Sequence, residues 1–264
     1  MFTKISYIKR KIRSLSLKVF NSIENNGNCN FIVNGEKLFI DNLFYYFIKS
    51  KQKRIVFDLG ANKGEYSKII QDTSEKNNID VDLYLFEPTK SCFLTIKNKF
   101  EEGGVVLNNF GVSDVEGVSK IYYDKEQSGL ASLYQRNLNS YNIKLDKVEN
   151  IQLRRLDNYI KEVGIKHIDF IKIDIEGHEL SAFKGFGQYL NADFISFIQF
   201  EYGGANLDSH TSLMELYELL EGCGFVICKI MPKGLDIRTY SPFMENFNYS
   251  NYVAISKKVI KNFL

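Results

Sequence analysis

The chain has 264 residues, a formal net charge of +2, and 44% hydrophobic and 25% charged residues. These are ordinary globular proportions, enough for one α/β domain, and so even a charge balance gives no general case for nucleic acid. No apolar run approaches the roughly 18 residues of a membrane span, no signal-peptide core follows the N-terminus, and Cys29, Cys92, Cys223 and Cys228 form no metal or disulfide pattern, so a reducing cytoplasm is expected.

The first segment departs from that even balance. Residues 1–20 carry Lys4, Lys9, Arg10, Lys11, Arg13 and Lys18 with no acid, a charge of +6 that leaves −4 for the rest. Phe2, Ile5, Ile8, Ile12, Leu15 and Val19 recur at spacings of three and four, which predicts a basic amphipathic helix. Such a helix suits an anionic membrane surface, but packing on the catalytic domain or on a second copy is the preferred expectation. Next, Cys29–Val33 and Lys37–Ile40 flank Asn34-Gly35, the signal of a β-hairpin, and residues 42–49 read as a short helix. Residues 1–50 are therefore expected to form an extension to a domain spanning 51–264.

From Arg54 the pattern alternates. Strands are predicted to Asp58, to Glu87, over 105–109, 121–123, 170–175 and 194–200, with helices over 67–76, 91–99, 156–163, 179–190 and 211–221. Residues 225–230 and 251–256 close the chain as antiparallel strands. Alternating βα units imply a doubly wound, mostly parallel α/β sheet with an antiparallel edge. Residues 124–146 are polar, and Ser128–Ser132 are small residues suited to a loop at the mouth of a site.

The motif Arg54–Tyr66, RIVFDLGANKGEY, runs a buried strand into a Gly loop and then a helix. It lacks the G-x-G-x-x-G of a dinucleotide site and the Gly-Lys-Ser/Thr of a triphosphate site. The acid at the strand end, Asp58, suits a cationic, amine-bearing ligand such as S-adenosylmethionine. The next strand ends in Glu87-Pro88, where a carboxylate can accept hydrogen bonds from two ribose hydroxyls.

VFDLGANKGEY, LFEP, FGVSD, LDNYI, DFIKIDIEGHE and ISFIQFE, in this order and spacing, resemble the FkbM family of S-adenosylmethionine-dependent methyltransferases. The resemblance covers about Arg54 to Glu201. It implies a seven-stranded Rossmann-like methyltransferase sheet, with Asp58, Gly60, Asn62 and Gly64 around the methionine moiety and Asp174 also on the cofactor. It also implies Glu87 on the ribose and Ser113 with Asp114 on the adenine edge, where Asn109 is an equal alternative. By family analogy the acceptor is a hydroxyl on a sugar, a glycan or another secondary metabolite.

The expected chemistry lies in Lys172–Glu179, KIDIEGHE, where Asp174 and Glu176 would share one side of a strand. Methyl transfer to oxygen needs a base, and His178, with an ordinary pKa of about 6.5, suits that role. Asp174 would orient the imidazole or act as base itself, whereas Glu179 is expected only to favour a helix N-terminus. Glu201 at the next strand end could meet the acceptor or join Asp174 on a divalent ion, although no metal is assigned. His210 reads as a loop residue, and a homo-oligomer is compatible with the sequence.

Overall fold

The computed structural model describes residues 4–50, 52–100 and 104–263. Helices α1 (Tyr7–Ile23) and α2 (Glu36–Ile48) precede β1 (Arg54–Leu59), α3 (Glu65–Lys76), β2 (Val81–Phe86), α4 (Lys90–Lys99) and β3 (Val105–Asn108). A small sheet follows from β4 (Gly111–Val112), β5 (Gly117–Tyr123) and β6 (Lys147–Arg154). The chain then returns through α5 (Leu156–Val163), β7 (Ile168–Ile173), α6 (Glu179–Gly185), β8 (Ile195–Tyr202), α7 (Gly204–Ser209) and α8 (Leu213–Gly222). It ends in β9 (Phe225–Met231), β10 (Gly234–Ile237), β11 (Ser250–Ser256) and α9 (Ile260–Phe263).

The main sheet has the order β10-β9-β11-β8-β7-β1-β2-β3. Strands β3, β2, β1, β7 and β8 are parallel; β11, β9 and β10 add the antiparallel edge. The doubly wound α/β expectation holds, with eight strands in this sheet because β10 pairs as a hairpin on β9. The winding reverses between β1 and β7, and the crevice beyond the carboxyl ends of strands at such a switch point is where open α/β sheets bind ligands. Both faces of the sheet are covered. Phe57, Leu59, Ile171 and Phe200 join one core cluster, while Val56, Leu85, Phe170 and Phe197 join the other. That two-sided burial makes the central strands read as continuous apolar runs.

Four expectations change. The hairpin at Asn34-Gly35 is absent: Gly35 is the N-cap of α2, at φ 102, and the Asn34 side chain accepts from the Glu36 amide at 2.9 Å. Phe39, Ile40, Leu43, Phe44 and Phe47 fall at helical spacing and are buried against the sheet, which outweighs the local hairpin signal. The fourth core strand ends at Ile173, so Asp174 and Glu176 lie in a turn and strand alternation does not orient them. Glu176 and Gly177 take φ of 52° and 99° there. The helix expected over 179–190 stops at Gly185, and a separate 3₁₀ turn spans Gly187–Tyr189. Helix α1 is present but buries no residue on the rest of the chain, so the expected packing on the catalytic domain does not occur. Phe2 lies outside the described residues.

Candidate active site

The carboxyl ends of β1, β2, β7 and β8 open into one cavity of about 750 Å³. Its floor is the loop after β1. Gly60 has φ 88, and a Cβ there would stand 2.0 Å from the Asp174 carbonyl oxygen, so the two strand-end loops touch only because this residue is glycine. Gly60 and Asn62 line the cavity, whereas Gly64 starts α3 against Phe100 and does not. Asp58 does not line it either. Its carboxylate is buried on the α3 side of β1 and accepts a hydrogen bond from the Ser67 hydroxyl, and burial pushes its pKa up to about 6. Asp58 thus fixes the helix that follows the loop.

Glu87, expected on the ribose, lines the cavity just past the end of β2. One carboxylate oxygen accepts from the Asn62 amide at 2.9 Å, and the other from the Thr89 amide at 2.8 Å and the Thr89 hydroxyl at 2.5 Å. The side chain is 4% exposed yet lines the cavity, and burial raises its pKa. Beyond it Phe110, Val112, Ile121, Ile151 and Leu153 make an apolar wall, part of which comes from the small sheet. This is an enclosed, mostly apolar slot. Ser113 and Asp114, expected on the adenine edge, do not line the cavity; Ser113 is buried beside His178. Asn109 instead donates to the Glu87 and Pro88 carbonyls, at 2.9 and 3.2 Å, and fixes that turn.

The other end of the cavity is acidic. Asp174, Glu176 and Glu201 line it, with His178 nearby. Lys172, buried in β7, points its ammonium 3.3 Å from Asp174 and 3.5 Å from the Asn251 side chain. Burial opposes the Lys172 charge, but Asp174, Glu36, Glu201 and Asp58 together raise its pKa. Burial and the neighbouring Asp174 carboxylate push Glu176 up to about 8, outweighing the pull of Arg136. The same causes hold Glu201 well above the usual carboxylate range. Among the described residues, no three His, Cys, Asp or Glu side chains are grouped to hold a metal.

His178 is not paired with Asp174, as its sequence neighbourhood suggested. Its Nε2 is 3.0 Å from the Ser113 hydroxyl and its Nδ1 is 3.0 Å from the Tyr134 hydroxyl. Ser113 donates onward to Asp114 at 3.2 Å, which assigns the imidazole proton to Nε2 and leaves Tyr134 donating to Nδ1. Burial lowers the His178 pKa to about 4, so the ring is neutral at physiological pH. Glu179 takes the structural role expected of it and more. Its carboxylate accepts from the Ile175 and Gly177 amides, at 3.3 and 3.1 Å, and shapes the turn that carries Glu176. His210 caps the end of α7, and His167 bonds Ser196 at 3.0 Å.

The segment between β5 and β6 closes over the cavity. The Asn62 side chain donates to the Ser128 carbonyl at 3.2 Å, and Ser132 donates to the Glu176 carbonyl at 2.7 Å. Arg136 ion-pairs with Glu176 at 2.5 Å and with Asp208 at 3.3 Å. Ser128 to Ala131 line the mouth as anticipated. Arg136 and Tyr134 were not anticipated; a lone cation in a polar stretch carries no local signal of the partners that folding gives it. Also missed was a buried polar network beneath the site, in which Gln199 bonds Glu36 at 2.6 Å, Tyr66 at 2.6 Å and Asn251 at 3.2 Å. Its signal was available: Lys172 and Gln199 are polar side chains within the apolar runs of β7 and β8.

Among known proteins, the model of the methyltransferase FkbM domain matches residues 58–227. A search of curated proteins found no match. Similar solved structures include a methyltransferase FkbM from Methylobacillus flagellatus, 15% identical with a TM-score of 0.49 over 81% of this chain and 47% of that one. Another is the 1,6-didemethyltoxoflavin-N1-methyltransferase of Burkholderia thailandensis, 10% identical with a TM-score of 0.40 over 97% and 93% of the two chains. The chain thus spans about half the length of the first of these. The family match covers well over half of the sequence, and the chain belongs to the FkbM methyltransferase domain family.

Proposed function

We propose that this protein transfers a methyl group from S-adenosylmethionine to a hydroxyl of a sugar, glycan or other secondary metabolite. The supporting observation is that one cavity joins a nucleoside-shaped end to an acidic end. Glu87, Gly60, Asn62 and the apolar wall make the first; Asp174, Glu176 and Glu201 make the second. The residues fit the cofactor: Gly60 and Asn62 line the cavity beside Glu87, and the buried Glu87 carboxylate still faces open space.

Bound there, S-adenosylmethionine supplies an electrophilic methyl group. Glu87 would accept from the ribose hydroxyls, Phe110 and Val112 would enclose the base, and the Asp174 carboxylate would meet the cationic amino group. Glu176 takes the proton of the acceptor hydroxyl, because a carboxylate raised to about 8 is matched to that task near neutral pH. His178, at about 4 and with Nδ1 occupied by Tyr134, is the weaker base. It holds Tyr134 and the covering segment in register. Arg136, Asn137, Ser140, Tyr141 and Asp208 around the mouth offer donors, acceptors and an aromatic face to a polyhydroxylated acceptor.

The test is calorimetry with S-adenosylmethionine and NADH, followed by incubation of labelled S-adenosylmethionine with nucleotide sugars and glycans. Binding of the first ligand and a methyl ether product are expected. Binding of NADH alone would remove the cofactor assignment, and a methylated amine would remove the oxygen acceptor.

A further inference from the structure

Helix α1 presents an unpartnered face. Ile8, Ile12, Leu15, Val19 and Ile23 are each between 50% and 69% exposed, and no residue of α1 is buried. At about 100° per residue these five fall within an arc of roughly 80°. Lys11 and Lys18 border the arc on one side and Lys9 and Arg13 on the other, all exposed. The helix is nonetheless a fixed part of the molecule. The Ser6 side chain caps its start, accepting from the Lys9 amide, and Phe20 packs edge-on against Phe243 at 6.4 Å. Just past its end, Glu24 ion-pairs with Arg238 and, at 3.4 Å, with Lys229.

We infer that α1 is a docking helix for an anionic lipid surface, lying in the headgroup plane with its isoleucine–leucine stripe in the acyl boundary. Two observations select this occupant. The stripe has cations on both borders, which is the arrangement that lets lysine stems run along apolar surface while their ammonium groups reach lipid phosphates. A second α1 laid against the first would instead press those borders together, cation against cation, with no acid in either helix to relieve them. The helix is too short and too charged to span the bilayer, and no helix among the described residues meets that requirement. Attachment is therefore in the plane, and part of it is electrostatic.

The experiment is cosedimentation of the full chain with phosphatidylcholine vesicles, with and without phosphatidylglycerol. Binding to the anionic vesicles alone is expected, and it should be largely lost in ~1 M salt, where charges are screened beyond about 3 Å. Ile12→Glu with Leu15→Glu should weaken partition by more than about tenfold, since each buried side chain contributes apolar area. Thermal melting and cofactor affinity should stay unchanged, because the stripe makes no buried contact in the chain. Lys11→Glu with Lys18→Glu should weaken anionic binding by about tenfold or more, at a scale of about 1 kcal/mol per cation near the surface. No binding to anionic vesicles, or binding indifferent to both double variants, would overturn the proposal. A dimer in light scattering that dissociates in Ile12→Glu with Leu15→Glu, without vesicle binding, would give the face to a second copy instead.

Discussion

Glu87 is held from behind so that it can be used from the front. The Asn62 and Thr89 amides and the Thr89 hydroxyl fix both oxygens, while the group still faces the cavity. Glu87→Ala should therefore cost about 1–3 kcal/mol of S-adenosylmethionine affinity, the scale of a hydrogen bond to a charged group, read by calorimetry. The base is the second residue-scale question. Glu176→Gln should lower turnover by about 10²–10⁴-fold, the usual contribution of a positioned base, with cofactor affinity nearly kept. His178→Ala should lower it far less, through loosening of Tyr134. Initial rates of the two variants decide the assignment, and the opposite ranking would return the role to the imidazole. Gly60, Asn62, Glu87 and Asp174 were legible as cavity residues because each stands in or beside a strand-end loop inside a contiguous motif; Asp58 shares such a motif but turns toward α3, away from the cavity. Arg136 and Tyr134 were not legible, since their partners Glu176 and His178 lie 40 and 44 residues away in the chain and meet them only after the covering segment folds over.

Among the elements, α2 is the one whose misreading is most instructive. Asn34-Gly35 is a strong turn signal, but a turn can open a helix as well as a hairpin, and the five apolar positions that follow at helical spacing decide between them. Those side chains complete the core with Phe170, Phe197 and Val253, so α2 packs as part of the sheet's own covering layer. Phe44→Ala, at a fully buried ring, should cost about 3–5 kcal/mol of stability, measured by denaturant unfolding. A fragment beginning at residue 51 should fail to give a cooperative transition. A stable, cofactor-binding fragment would show that α2 covers the sheet without supporting it. Strand β6 escaped notice for a different reason. Its burial alternates only over Ile151–Leu153, and half of the strand is exposed, so the period-two signal is short. The central parallel strands were legible because burial on both faces gives them near-continuous apolar runs bounded by turn residues.

Across the whole molecule, charge is sorted: cations along α1, and carboxylates at the carboxyl edge of the sheet. Crowding acids in a buried place has a thermodynamic consequence. Asp58 is raised to about 6, Glu179 to about 7 and Glu176 to about 8, and Glu201 is raised well above its ordinary value of 4.5. For each, the native state keeps its proton after the unfolded chain has lost it, so stability falls as pH rises through that interval. His178 works the other way: lowered to about 4, it contributes stability that grows from pH 4 to about 6.5. These four carboxylates, with Glu87 raised in the same direction, outweigh one imidazole, and the protein without ligand should melt lower at pH 8 than at pH 5.5. Glu201→Gln isolates one of the four. An amide cannot ionise, so the variant should come closest to the native protein near pH 4, below the ordinary value of 4.5, where Glu201 is protonated in the folded and the unfolded chain alike. At pH 8 it should melt higher by on the order of 2–4 °C for each kcal/mol recovered. The same substitution should lower methyl transfer, since a carboxylate beside Asp174 is what gives the acceptor end its character. Melting curves that differ by the same amount at both pH values would mean that Glu201 does not change protonation across this interval.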